Sequence, residues 1–337
     1  MKICLYLEFK NFLGGLFYKK IGTGLLSSYK NQEDMLKHLA IPFSGRWDPS
    51  CDILQINTPW FKSIYLMKRA KKLNKKIIVW AHVSPEDAKH VFRINRFIYP
   101  AIKKYLVYAY NLADVILCPS EYTKKLMIAH GLPEKKLIVQ SNGVDLAKFY
   151  KSEEKRKAGR QLFGLDGRLA VGTVGLIIPR KGTDTFLKLA EGFKENKFIW
   201  IGKKYNRLMV KSLPGELPAN VNFTGFIDDI LAGFNALDIF LFPSYEENEG
   251  MVILEAAALG LPILVRDIPV YEGWLKHGEN CLKAKNDNEF SKYLNELLRD
   301  EDLRKKLGIG ALALAQSKSK SVLALKLKEV YDLLLKK

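Results

Sequence analysis

The chain has 337 residues, more than one ordinary core requires, since domains cluster near ~100–150 residues, so two domains are expected. Hydrophobic residues at 48% and charged residues at 27% exclude a disordered, collagen-like or disulfide-stapled chain. The formal net charge of +18 points to anionic partners: nucleic acid, phosphorylated small molecules or an acidic membrane surface.

Cys4, Cys51, Cys118 and Cys281 are far apart, with no CxxC pair and no histidine at metal-ligand spacing, and read as reduced core residues of a cytosolic protein. No apolar run approaches the ~18–20 residues of a membrane span. The opening MKICLYLEF lacks the long apolar stretch of a signal peptide. Any membrane contact is therefore expected to be peripheral.

In chain order, short apolar runs alternate with helix-like stretches: ICLYLEF from Ile3, DILQINT from Asp52, KIIVWAHV from Lys76, DVILCPS from Asp114 and LIVQSNGVD from Leu137. After the basic stretch 151–157 the rhythm restarts with LAVGTVGLI, KFIWIG, VNFTGF, DIFLFPS and PILVRD. Buried parallel strands alternating with helices predict an α/β chain of two doubly wound, Rossmann-like domains, at 1–150 and 151–320. The last stretch, SVLALKLKEVYDLLLKK, has helical periodicity with no strand after it. One echo links the halves: NLADVILCPS at 111–120 and NALDIFLFPS at 235–244. Each reads as a helix end, a buried strand and a proline-led exit at the strand's carboxyl end, where open α/β sheets bind ligands.

The charge is uneven. Residues 1–150 hold 24 Lys and Arg against 11 Asp and Glu, so +13 lies in the first half and +5 in the second. Between Trp60 and Asn111, 12 basic residues face only Glu86 and Asp87. The run 60–76 carries Lys62, Lys68, Arg69, Lys71, Lys72, Lys75 and Lys76 with no acid. Phe61, Ile64, Met67, Ala70 and Leu73 recur there at helical spacing, a stripe expected to pack on the sheet and leave the cations outside. Residues 92–110 mix Phe92, Phe97, Ile98, Tyr99 and Tyr105 with Arg93, Arg96, Lys103 and Lys104, an interfacial composition. A solvated charged face is the alternative. Each cation near an anionic leaflet contributes roughly 1 kcal/mol, so a handful suffices for reversible attachment.

The segment 243–262 carries chemistry. A strand ends at Ser244, an acidic loop follows, and Gly250 opens an apolar helix stopped by Gly260 and Pro262. Free N–H groups at that helix start, at Gly250, Met251 and Val252, suit a diphosphate. Glu255, inside the helix among apolar residues, is costly unless hydrogen-bonded, and vicinal ribose hydroxyls would serve. Glu247 lies in the loop, able to face a sugar.

Glu247, seven intervening residues and Glu255, followed by alanine and later Gly-Leu-Pro, resembles the paired-glutamate motif of retaining, nucleotide-sugar-dependent glycosyltransferases of the GT-B fold, family four. The resemblance covers nearly the whole chain. It implies two Rossmann-like domains facing a cleft and a donor diphosphate held by Arg180 and Lys181 in GLIIPRKG at 175–182. Most members place the arginine directly after the glycine, where this chain has Leu176, so Arg180 is expected to supply the guanidinium. It further implies that Gly22, Thr23 and Gly24 form a glycine loop against donor phosphate and that His82 contacts the donor sugar. Asn142-Gly-Val-Asp145 resembles the entry to the interdomain linker, with Asp145 structural.

HVSPED, FRINRFIYPAIKKYL, SEYTKKLM, PSYEENEG and RDIPVYEGWL narrow the resemblance to bacterial diacylglycerol glucosyltransferases. It implies a nucleotide sugar, UDP-glucose first, in the C-terminal domain, and a lipid acceptor met by the N-terminal domain. It also implies that residues 321–337 return to the N-terminal domain, and that the enzyme sits peripherally on the cytoplasmic face of the cell membrane. No Asp-x-Asp metal signature accompanies a donor site, Asp228-Asp229 reads as a helix cap, and no metal or other cofactor is expected. Same-face attack, with the leaving phosphate receiving the acceptor proton, comes from the family. Two other readings stay open: transfer to a polyprenyl-linked or surface saccharide, and a non-catalytic basic protein binding lipid or nucleic acid. Against nucleic acid, there is no recognition-helix, RNP or zinc signature, and the loop of Glu246, Glu247 and Glu249 would repel a phosphate backbone.

Overall fold

The computed structural model describes residues 1–12, 24–83, 99–203 and 217–336, apart from the side chains of residues 11 and 12. The chain forms two compact units, Met1–Gly143 with Lys320–Lys337, and Val144–Ser319. In the first, β1 (Ile3–Tyr6), β2 (Phe43–Ser44), β3 (Ile53–Ile56), β4 (Lys76–Trp80), β5 (Val115–Cys118) and β6 (Leu137–Val139) form a parallel sheet in the order β2-β1-β3-β4-β5-β6. In the second, β7 (Ala170–Val174), β8 (Lys197–Ile201), β9 (Val221–Gly225), β10 (Ile239–Phe242), β11 (Ile263–Arg266) and β12 (Leu282–Ala284) are parallel in the order β12-β11-β10-β7-β8-β9.

Both faces of the first sheet are covered, which is why its strands read as unbroken apolar runs. Cys4, Leu54, Ile77, Val79 and Ile116 face one core, while Ile3, Leu5, Ile53, Ile78 and Trp80 face the other. The final helix, Lys320–Lys336, belongs to that second core, burying Leu323, Leu327, Val330, Tyr331 and Leu334 against it.

Aspartates peg the strand starts. Asp114 Oδ2 accepts Ile77 N at 2.7 Å, and Asp238 Oδ2 accepts Ala170 N at 2.8 Å. Each aspartate's own N–H bonds back across the same pair of strands at 2.9 Å. The echo noted between residues 111–120 and 235–244 is thus one structural device used in both sheets.

Two expectations move. The second unit begins at Val144, not after residue 150. Val144 N bonds Lys318 O at 3.1 Å, Phe149 packs edge-on against Phe234, and Asn235 Nδ2 donates to Tyr150 O, all inside that unit. The helix Phe61–Lys72 buries Ser63, Leu66, Met67 and Ala70, while Phe61 is 77% and Leu73 45% exposed. Glu8 sets this rotation: its carboxylate accepts Lys62 N, Ser63 N and Ser63 Oγ at the helix start, drawing Ser63 inward.

Candidate functional site

In the second sheet the strand order reverses between β7 and β10, and ligands of open α/β sheets bind outside the carboxyl ends of strands at such a point. The loops leaving these two strands carry the motif residues. After β7, Pro179–Lys181 forms one 3-10 turn, closed by Gly182 at φ 77°. After β10 come Pro243, Ser244 and the acidic loop. The loops are stapled backbone to backbone: Tyr245 N donates to Arg180 O at 2.9 Å.

This brings Lys181 and Glu247 together. Lys181 Nζ forms an ion pair with Glu247 Oε1 and stands 5.0 Å from the centre of the Phe242 ring. Ser244 Oγ donates to the same carboxylate oxygen at 2.7 Å. Glu247 is only 8% exposed. Burial pushes its pKa up, but Lys181 and Arg180 outweigh that, and the net shift is downward, so the carboxylate stays ionised. Arg180 Nη1 donates to Glu246 O at 2.6 Å, and its buried Nε has no hydrogen-bond partner among the described residues.

Gly182 has two reasons to be glycine. Its φ is left-handed, and a Cβ would overlap the carbonyl of Pro243. Gly182→Ala is expected to cost about 3 kcal/mol and lower Tm by about 6–10 °C, with loss of activity as the Lys181 and Glu247 loops part. Thermal unfolding of the folded variant checks this, and an unchanged Tm would remove the close approach from the account.

Gly250 (φ 86°) precedes the helix Met251–Ala258, with Met251 and Val252 half-buried at its first turn. Glu255 lies in this helix among buried Ile253, Leu254, Ala256 and Ala257. Burial lifts its pKa to about 7, Lys148 alone opposing, and it has no hydrogen-bond partner among the described residues.

In the first unit, His82 follows β4. Its ring stacks on Trp80, centroids 5.4 Å apart at 12°, and its Nε2 lies 3.1 Å from Ser28 Oγ. Burial depresses its pKa to about 3, so the imidazole is neutral at physiological pH. Gly24 is the first residue of the helix Gly24–His38. Gly22, Thr23, Arg93 and Arg96 lie outside the described residues. Lys62, Lys68, Arg69, Lys71, Lys72 and Lys104 are exposed, and Lys75, Lys76 and Lys103 half-buried. Asp145 Oδ1 accepts Ala147 N and Lys148 N, and Asp229 Oδ1 accepts Ala232 N, both as local caps.

Three participants were not singled out from sequence. Ser244, the counterpart of Ser120, holds Glu247, whereas Ser120 caps the helix Glu121–Ala129. Arg266, at the end of β11, donates to Pro243 O at 3.0 Å and to Thr185 Oγ1 at 2.7 Å, and stacks over Tyr245 at 3.9 Å, bracing the acidic loop. Tyr271 is fully buried beside Gly250, its hydroxyl without a hydrogen-bond partner among the described residues. Burial pushes its pKa well up, and Glu247 adds to this. Arg266 and Tyr271 fall in RDIPVYEGWL, the one sequence signal that bracketed them.

Residues 155–312 match the family described as glycosyl transferases group 1, and residues 35–148 match glycosyltransferase family 4. The chain is 32% identical over 310 residues to the processive diacylglycerol alpha-glucosyltransferase of Acholeplasma laidlawii, covering 89% of each protein. It is 29% identical over 267 residues to the alpha-galactosylglucosyldiacylglycerol synthase of Streptococcus pneumoniae, covering 75% of this chain and 71% of that protein. Its fold is similar to that of HepE from Anabaena, solved in complex with UDP-glucose, with a TM-score of 0.77 at 18% identity over 98% of this chain and 99% of the other.

Proposed function

The chain belongs to the GT-B glycosyltransferases of family four, and on that footing we propose that it moves a hexose, glucose by our reading, from a UDP-sugar to 1,2-diacylglycerol with retention of configuration. The observation that carries the donor half is the Arg180, Lys181 and Glu247 cluster at the sheet's switch point. The cations and the helix start at Gly250 would neutralise charge growing on the leaving diphosphate. Glu255 would take the ribose hydroxyls, and His82 and Glu247 the sugar. The leaving phosphate would accept the acceptor's proton as the new bond forms on the same face. The lipid acceptor rests on the Acholeplasma relative.

The basic helix Phe61–Lys72 supplies the bilayer contact in this reading. It exposes Phe61 and Tyr65 beside Lys62, Lys68, Arg69, Lys71 and Lys72, with Tyr108 under Lys68. Attachment would be peripheral, on the cytoplasmic face, in keeping with the lipid glycosyltransferases this chain resembles, and no helix among the described residues is long and apolar enough to cross a membrane. Replacing Lys62, Lys68, Arg69 and Lys72 together by Gln is expected to weaken binding to anionic vesicles about 100-fold or more, at roughly 1 kcal/mol per cation. Vesicle sedimentation measures it, and unchanged binding would remove this helix from the interface.

The deciding experiment is mass spectrometry of lipids after incubation with a panel of UDP-sugars and diacylglycerol vesicles. Hexosyl-diacylglycerol from UDP-glucose is the expected product. Transfer only to a polyprenyl-linked acceptor would overturn the acceptor and leave the transferase standing.

A further inference from the structure

Apart from the donor residues, the second unit holds a groove of about 530 Å3 formed wholly by its own side chains and backbone. One wall is the helix Glu301–Ser317, through Gly310, Ala313 and Leu314, and the other is the segment between β11 and β12, through Trp274 and Lys276. Gly310 lets the walls meet, since a Cβ there would overlap the carbonyl of Glu279. Buried Asn280 holds the segment in shape, donating from Nδ2 to Trp274 O at 3.1 Å and accepting Lys276 N on Oδ1 at 2.8 Å. Trp274 Nε1 donates to Val270 O at 2.8 Å, which fixes the indole.

The groove ends on a cation. Lys318, half-buried, places Nζ 5.3 Å from the centre of the Trp274 ring, and among the described residues that ammonium has neither a carboxylate partner nor a hydrogen-bond acceptor. Lys276 and Glu279 pair with each other at 3.3 Å on the exposed rim, so Lys318 leaves the lining positive. Drawing an ammonium partly out of water is unfavourable, and a bound anion offsets that cost. The lip beside it is apolar. Ile309 is 72% exposed, and Leu312 is exposed one helical turn on, so the two run as a strip alongside Gly310 and Ala313. A free phosphate would leave that strip in water, whereas an acyl chain covers it.

We propose that this groove binds an anionic phospholipid, its phosphodiester against Lys318 and Trp274 and an acyl chain along Ile309 and Leu312. The second unit then has a lipid contact of its own, made by none of the residues of the basic helix Phe61–Lys72 or of the donor cluster. The Lys318 ammonium donates to the phosphate oxygens. The indole, packed on one side and wet on the other, suits the level of a headgroup.

The test is a fluorescence titration of the full chain with dihexanoyl phosphatidylglycerol below its micelle concentration, set against dihexanoyl phosphatidylcholine and glycerol 3-phosphate. The chain has five tryptophans, and Trp274→Phe assigns the response. A saturable change with phosphatidylglycerol is expected, and it is lost in Trp274→Phe. Phosphatidylcholine should bind about fivefold more weakly, for want of one net charge, and glycerol 3-phosphate more than about tenfold more weakly, for want of acyl chains. Lys318→Gln should erase the difference between the two lipids, and Ile309→Ser should weaken both lipids while leaving glycerol 3-phosphate as it was. Thermal unfolding confirms that each variant is folded. Equal affinity for the two lipids in the unaltered chain, equal affinity for glycerol 3-phosphate, or a response that persists in Trp274→Phe would each overturn the proposal. Hexose transfer is not the readout, so either result leaves the reading of the donor site untouched.

Discussion

Lys181→Ala is expected to lower kcat for hexose transfer about 100- to 1000-fold, the usual cost of removing one preorganised group from charge that develops in the transition state. The ammonium is held where the loops from β7 and β10 meet, ion-paired to Glu247 and backed by the Phe242 ring. The same substitution leaves the Glu247 carboxylate buried with Arg180 and Ser244 as its remaining support. Breaking a buried pair outright costs ~3–5 kcal/mol; with those two groups still in place, about 2 kcal/mol and a Tm lower by about 4–8 °C are expected. The pH dependence has a definite sign. Glu247's folded pKa lies below its ordinary 4.5, so the pair stabilises above pH 4.5, and its contribution fades as pH falls through the folded value. The Tm gap between the two proteins should therefore narrow in acid. Lys181→Met combined with Glu247→Gln removes both charges and should regain most of the lost stability with no regained transfer. Single-turnover kinetics and calorimetry on the three proteins separate the two effects. Full transfer by folded Lys181→Ala would remove Lys181 from the diphosphate site.

Much of this was open to a reader of the sequence because burial on both faces leaves a strand little choice of residue. Ten runs of β-branched and apolar residues correspond to ten of the twelve strands. The two that escaped, Phe43–Ser44 and Leu282–Ala284, are the edge of each sheet, two and three residues long, and exist only because a neighbour offers a ladder. The helix Phe61–Lys72 shows a different limit. Its periodicity gave a helix but not its rotation, which Glu8 decides from 55 positions away in sequence from Ser63. The site divides in the same way. Glu247, Glu255, Arg180 and Lys181 are legible because charges beside apolar strand ends and helix starts are conspicuous. Ser244 and Arg266 are not, since each is one ordinary polar residue at a strand's carboxyl end, and only the packed loops turn it toward Glu247 and Pro243. Ser120 and Ser244 make the point within one motif: the same Pro-Ser exit caps a helix in one unit and holds a buried glutamate in the other, and only packing tells them apart.

The second large effect is expected at Glu255, where stability and donor binding oppose each other. Without ligand its carboxyl is half-buried, with a pKa raised to about 7 by burial, against an ordinary 4.5. The folded state holds that proton more tightly than the unfolded state. Its contribution to stability is therefore full below pH 4.5 and lost as pH rises to about 7. Glu255→Gln is accordingly expected to match the unaltered chain in Tm near pH 4 and to exceed it at pH 8. Ribose hydroxyls would reverse this preference, because they donate to the ionised carboxylate and draw its pKa down on binding. Donor binding at pH 6 should then release close to one proton, and binding at pH 8 almost none, with affinity rising between them. A nucleotide sugar is the informative ligand, since its diphosphate is a diester that does not titrate in this range and any proton released comes from the protein. Hydrogen bonds to a charged group are worth ~1.5–3 kcal/mol, so Glu255→Gln should weaken UDP-glucose binding at pH 8 about 10- to 100-fold and abolish the proton release. Titration calorimetry in buffers of different ionisation enthalpy reads both quantities at once. Unaltered affinity in the Gln variant, or binding without proton release at pH 6, would place the ribose elsewhere. A more stable variant that binds its donor poorly would mean that this helix carries its half-buried acid for the ligand and not for the fold.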